Sequence, residues 1–278
     1  MPDDGADGSL ELLAPGVYAW LQLPARAGRS NAGVVVDEDG ITLVDSLMVP
    51  SQWMSFSAAL SGLGRPVRRL VLTSSHVEYA GGTAGFRLAA IYGRPQTSAH
   101  LDQPADPTVL RALLTEFASE FDDEFTTRPV SHVVDAPVQL TAALAVFPHG
   151  GEQAENLVGV VAGAGVVFAG AMCSFGVTPL AYQGDPAAWA DELDEVLELG
   201  DVIVPGHGAR GGEKEVRELQ AYLRACVAAD GDPSRLDAGP WDDWPGVEHH
   251  VVNIERAAML ARGRDEIPPT LLDRLGLA

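Results

Sequence analysis

Apolar positions along the chain fall into two successive blocks, each a run of short strand-like segments followed by segments at helical spacing. After a polar tail at residues 1–10, Leu13 to Leu21 alternates as a strand does. Two β-branched runs, Asn31 to Val36 and Ile41 to Asp45, flank the acidic turn Asp37-Glu38-Asp39-Gly40 and read as a hairpin. From Ser51 to Leu63 the apolar residues recur at helical spacing, with Ser51 as the N-cap and Gly64-Arg65-Pro66 as the stop. A short strand, Arg69 to Leu72, then delivers a polar loop, and Gly82 to Leu88 can begin a helix. Residues 101–130 hold Pro104, Pro107, an amphipathic segment from Val109 to Phe121 and the solvated acidic run Asp122-Asp123-Glu124. They read as a surface helical insertion placed to act as a lid.

The second block has strand signals at Ser131–Val134, Val138–Leu140, Ala143–Phe147, Leu157–Val161 and Val166–Phe168. An acidic helix over Pro186–Leu199 and a buried strand from Val202, ending in Gly206-His207-Gly208, come next. Helices over Glu213–Ala228 and Val251–Arg262 and a short apolar tail close the chain. No internal repeat or flexible linker divides it, so residues 1–278 read as a single domain with a C-terminal helical extension over 239–278. Two halves, each strands and then helices, fit an α+β fold of two sheets packed face to face with helices outside.

Apolar residues at 46% and charged residues at 21% are those of a chain able to build a core. Eighteen Lys and Arg oppose 39 Asp and Glu, and a net charge of −21 repels phosphate backbones and anionic lipid surfaces. Nucleic acid and membrane partners are therefore not expected. Cys173 and Cys226 are too few for a disulfide framework or a thiolate metal site and read as packed core residues. The acidic start Met1-Pro2-Asp3-Asp4 is unlike a signal peptide, and the expected location is cytoplasmic.

The chemistry gathers around Val71-Leu72-Thr73-Ser74-Ser75-His76-Val77-Glu78-Tyr79-Ala80-Gly81-Gly82, an apolar strand running into a polar turn and two glycines. This stretch resembles the metallo-β-lactamase superfamily, in which the strand ends in Thr-His-x-His-x-Asp-His-x-Gly-Gly and the three His and one Asp hold one or two metal ions. Asp45, Phe168-Ala169-Gly170-Ala171 and Pro205-Gly206-His207-Gly208 match further marks of that family, so the resemblance covers nearly the whole chain. It implies an αββα sandwich and a hydrolase-like activity.

The ligand places themselves are altered. Ser74, His76, Glu78 and Tyr79 stand where the family has His, His, Asp and His, and Ala171 stands at the bridging Asp. Counting back from Asn156-Leu157-Val158 puts Glu152 at the third histidine's place, with His149 three residues upstream. Zinc needs about three N or O ligands and an open position. The candidate ligands are His76, His149, Glu152 and His207, and the expected cofactor is one weakly held zinc ion or none.

Three functions follow. A zinc-bound hydroxide would hydrolyse an ester, thioester or lactone. Without metal, Glu78, His207, Glu152, Tyr79 and Ser74 remain as an acid–base set able to enolise, cyclise or dehydrate a small molecule. The third function is a non-catalytic binding or scaffold protein. Gly239-Pro240-Trp241-Asp242-Asp243-Trp244-Pro245 and Asn253-Ile254-Glu255-Arg256-Ala257 resemble an actinomycete branch associated with cyclisation of aromatic polyketides. That resemblance implies an aromatic or polyketide-like substrate; in the metal-free alternative Glu78 and His207 would serve as base and acid. His100, His132 and His249-His250 lie outside every motif and read as structural or surface residues, and Trp241 and Trp244 read as packed.

Overall fold

The structure is a computed structural model that describes residues 8–103 and 106–277. The acidic start at residues 1–7 and Pro104 lie outside the described residues. Strands β1 (Ser9–Ala14), β2 (Val17–Leu21), β3 (Ala32–Asp37) and β4 (Gly40–Val44) form an antiparallel meander. Helix α1 (Pro50–Ser61) then leads to β5 (Val67–Val71), which pairs parallel to β4. Short helix α2 (Val77–Ala80), β6 (Ala90–Gly93), α3 (Pro95–Leu101), α4 (Pro107–Leu113) and β7 (His132–Val133) complete the first half. The result is a seven-stranded sheet in the order β1 to β7.

The second half contains β8 (Val138–Gln139), β9 (Ala145–His149), β10 (Asn156–Val161) and β11 (Val166–Ser174). It continues through α5 (Pro186–Leu199), β12 (Val202–His207), α6 (Glu213–Ala228), α7 (His249–Ala261) and α8 (Pro269–Leu275). Its five-stranded sheet runs β12-β11-β10-β9-β8, with β12 parallel to β11.

Burial explains the layering. One apolar cluster joins Val17, Val35 and Val71 of the first sheet to Val146, Leu157 and Phe168 of the second, so the sheets face each other. A second covers the far side of the first sheet with Phe56 and Leu60 of α1. A third covers the far side of the second sheet with Trp189, Leu219 and Ile254 of α5, α6 and α7. Helix, sheet, sheet and helix are the four layers of the αββα sandwich. Strand β11 is buried at all nine positions, as a strand covered on both faces must be.

Several elements differ from the sequence expectation. Ser9–Ala14 pairs as a strand with β2 through the Pro15-Gly16 turn. Helix α1 starts two residues earlier than expected, with Pro50 in its first turn and Val49 rather than Ser51 at the cap, because proline's fixed φ suits that position; Ser51 bonds Glu120 instead. The expected helix after Gly82 is a 3-10 turn over Gly81–Gly85, and the segment from Val109 to Phe121 breaks after Leu113 into a second 3-10 turn. Strand β6 and helix α3 have weak sequence signals, and the apolar tail carries the additional helix α8.

The two glycines of the central loop have a steric cause. A Cβ on Gly81 would run into the Met48 carbonyl, and one on Gly82 into the Ser46 carbonyl. Gly82→Ala is expected to cost ~1–3 kcal/mol through backbone displacement, read as a thermal midpoint lower by several degrees; an unchanged midpoint would contradict the packing. Among the described residues no helix is long and apolar enough to cross a membrane.

Candidate active site

Four chain segments meet at one end of the sandwich: the loop after β5, the loop between β9 and β10, the loop after β11, and the tip of β12. Their relative positions are pinned by buried polar bonds. Asp45 accepts from the Thr73 backbone N–H at 2.8 Å and from its hydroxyl at 2.7 Å. Asn156 donates to the Thr73 carbonyl at 3.0 Å, tying the second sheet to the same residue. Asn31 donates to the carbonyls of Pro205 and Gly208 at 2.9 and 2.8 Å, which fixes the β12 tip against the first sheet. Burial lifts Asp45 to about 8 against the opposing Thr73 bonds, so this carboxyl belongs to the scaffold rather than to solvent.

Above these ties lies a cleft of about 770 Å³ whose floor holds His76, Glu78, Tyr79, Glu152, Ala171 and His207. The floor contains two ion pairs. His76 Nδ1 lies 2.6 Å from Glu152 Oε1, with side chains 12% and 11% exposed, and its ring stacks on Tyr182 at 5.2 Å. His207 Nε2 lies 3.3 Å from Glu78 Oε1, and its Nδ1 lies 3.2 Å from the Tyr79 hydroxyl. The Gly28 backbone N–H also donates to Glu78 Oε1.

The amide network fixes the state of His76. Gln153 Oε1 accepts from the Ser75 backbone N–H at 3.0 Å, and a backbone donor cannot be reversed. The amide nitrogen of Gln153 must then face Gln183, whose Oε1 it meets at 2.6 Å. That oxygen faces His76 Nε2 at 2.7 Å, so Nε2 carries a proton, while Nδ1 donates to Glu152. Both ring nitrogens meet acceptors, and the ring is held as an imidazolium. The electrostatics agree: burial disfavours the charge, but Glu152 and Gln183 outweigh it and raise His76 to about 9. In the other pair burial pushes Glu78 up, yet His207 and the Gly28 N–H prevail and bring it down to about 2. His207 is raised in turn, because Glu78 overcomes the effect of burial. Tyr79 is pushed well above the usual phenol range by burial and the nearby carboxylates, so its hydroxyl stays protonated.

Two expected site residues fall elsewhere. Ser74 is fully buried below the floor, with its hydroxyl donating to Gln153 at 2.8 Å and accepting from the His76 N–H. His149 ends β9 facing α5, where Nδ1 lies 3.1 Å from Glu192 and 3.7 Å from Glu195. Strand alternation turns it away from the cleft. Trp241 and Trp244 pack with Tyr222 inside the helix-side core. The cleft also recruits residues the sequence reading assigned elsewhere or passed over: His100, Tyr182, Gln183 and, behind them, Gln153. His100 bonds the Ser75 hydroxyl at 2.6 Å. Only the adjacency of Gln153 to Glu152 offered a sequence signal for this group.

A zinc ion does not fit this floor. Among the described residues, the only three His, Cys, Asp or Glu side chains with ligand atoms mutually within 4.8 Å are His149, Glu192 and Glu195, none of which lines the cleft. On the floor, Glu152 Oε2 is a buried oxygen without a partner, but both nitrogens of His76 are taken, and Ala171 offers no donor atom.

The two facing sheets with helices outside and a cleft at the strand ends define an α+β fold of the αββα sandwich type. The chain belongs to the metallo-beta-lactamase superfamily, whose family model matches residues 25–207. Similar solved structures include a metallo-beta-lactamase of Pseudomonas aeruginosa in a mono-zinc form, 21% identical, covering 78% of this chain and 94% of that one at a TM-score of 0.59. The metallo-beta-lactamase of Erythrobacter litoralis is 20% identical, covering 79% and 97% at 0.61. That of Hirschia baltica is 18% identical, covering 78% and 97% at 0.60. No curated protein matches the chain. At these identities the structures share the fold.

Proposed function

We propose that the protein is a metal-independent acid–base enzyme acting on a small, largely apolar carbonyl compound. The supporting observation is the placement of two His–carboxylate pairs on one floor of a cleft whose donors do not assemble around a metal. Removal of a proton beside the carbonyl begins the reaction. The C–H bond breaks, its proton passes to the Glu78–His207 pair, and its electron pair moves onto the carbonyl oxygen as an enolate. The charge of His76 favours that oxygen through space, its two N–H groups staying with Glu152 and Gln183. The enolate carbon then closes a ring on a second carbonyl of the same molecule, or expels a β-hydroxyl as water. In either case the borrowed proton returns from the pair.

Membership of the superfamily favours a second use of the same residues, in which the pair deprotonates a water that attacks an ester, thioester or lactone. Deuterium uptake beside the carbonyl of 2-tetralone in D2O, followed by proton NMR with EDTA present, tests the first reading. Exchange faster than in buffer is expected. Exchange at the buffer rate would remove it, and hydrolysis of p-nitrophenyl butyrate without exchange would move the assignment to the second.

A further inference from the structure

A serine and a histidine that belong to neither ion pair meet on the lining of the cleft. Ser75 Oγ lies 2.6 Å from His100 Nδ1, and both residues line the cavity. Ser75 is half-buried and His100 is exposed, so the pair is open to a molecule in the cleft.

The amide network decides which way the serine hydroxyl points. Gln153 Oε1 accepts from the Ser74 hydroxyl at 2.8 Å and from the Ser75 backbone N–H at 3.0 Å, which fills its two lone pairs. Gln153 Nε2 donates to Ser75 Oγ at 2.9 Å. The Ser75 hydroxyl proton is therefore left for His100 Nδ1, which accepts it as a neutral ring. Burial and the charge of His76 both hold His100 below its ordinary value, in agreement with that state. A serine hydroxyl donating to a neutral imidazole is the arrangement of a nucleophile beside its base.

We propose that Ser75 and His100 are a nucleophile–base pair that takes the acyl group of a small ester or thioester onto Ser75. Oγ bonds to the acyl carbon while its proton passes to His100; the bond from that carbon to the leaving oxygen or sulfur breaks, and the leaving group departs with the proton. Water, deprotonated by His100, then releases the carboxylic acid and restores the hydroxyl. The charge of His76 is near enough to disfavour a proton on His100, and by the same field it favours the negative oxygen of the tetrahedral intermediate. Leu101, Leu110, Leu113 and Leu180 line the same cleft and suit an apolar acyl chain. Neither Glu78 nor His207 takes part, so the inference goes beyond the acid–base reading and does not rest on it.

The test is labelling of the whole protein with phenylmethanesulfonyl fluoride in EDTA, read by intact mass and peptide mapping. One adduct on Ser75 is expected, absent in Ser75→Ala and formed about a hundredfold more slowly in His100→Ala or His100→Gln. A wild-type protein left unlabelled at Ser75 overturns the inference whether or not any variant folds. So does labelling at the wild-type rate in a folded His100 variant. Water activated by the Glu78–His207 pair leaves no adduct on the protein, and 2-tetralone exchange does not involve Ser75, so the failure of either reading leaves the other standing.

Discussion

Replacing His207 by Ala, or Glu78 by Gln, is expected to lower the exchange rate by ~10²–10⁴-fold, the usual contribution of a positioned acid or base. The two residues share one proton across 3.3 Å, so the double variant should be hardly worse than either single one. Activity should also rise with pH. The base form requires a neutral His207, and Glu78 holds that histidine above its ordinary value, so the rising limb lies on the alkaline side of 6.5. In Glu78→Gln the attraction disappears while burial remains, and the limb should move to lower pH. Steady-state profiles of both proteins measure this. An unchanged midpoint in Glu78→Gln, or full activity in His207→Ala, would show that the pair does not carry the proton.

His76→Ala should have the largest effect on stability. It removes one partner of a buried pair and strands Glu152, a change that typically costs ~3–5 kcal/mol. The pH dependence has a definite sign. His76 is raised from 6.5 to about 9, so its contribution is complete below 6.5 and disappears as pH rises through 9. The shift corresponds to roughly 3 kcal/mol. Urea unfolding should therefore find the wild-type protein losing about that much between pH 6 and pH 10, beyond any loss seen in His76→Ala. Parallel pH curves for the two proteins would mean that the pair is not an ion pair in the folded state.

The layered fold was legible because each strand and each long helix carries its own period. Pro186–Leu199 and Glu213–Ala228 could be bounded to the residue, since Asp185 caps the first and an acidic turn opens the second. Strand β11 extends six residues beyond the expected Val166–Phe168, because Ala169-Gly170-Ala171 carries little strand signal of its own. The altered ligand loop was equally visible, and His76, Glu78, Tyr79, Glu152 and His207 do meet on one floor. Orientation was not visible. Nothing local shows that the last residue of β9 turns His149 towards α5, or that Ser74 points inward. Gln153 and Gln183 stand 30 positions apart in irregular loops, so the chain of amides that sets the charge of His76 exists only once the loops after β5, β9 and β11 converge.

We propose that the two His–carboxylate pairs, and no metal, do the work of this cleft. Metal analysis of protein purified without chelator, followed by a zinc titration, tests it most directly. Less than a tenth of an equivalent of zinc on isolation is expected, with no binding below the millimolar range that Glu152→Gln or His207→Ala weakens. Stoichiometric zinc held tightly by the wild-type protein and lost in those variants would contradict the claim.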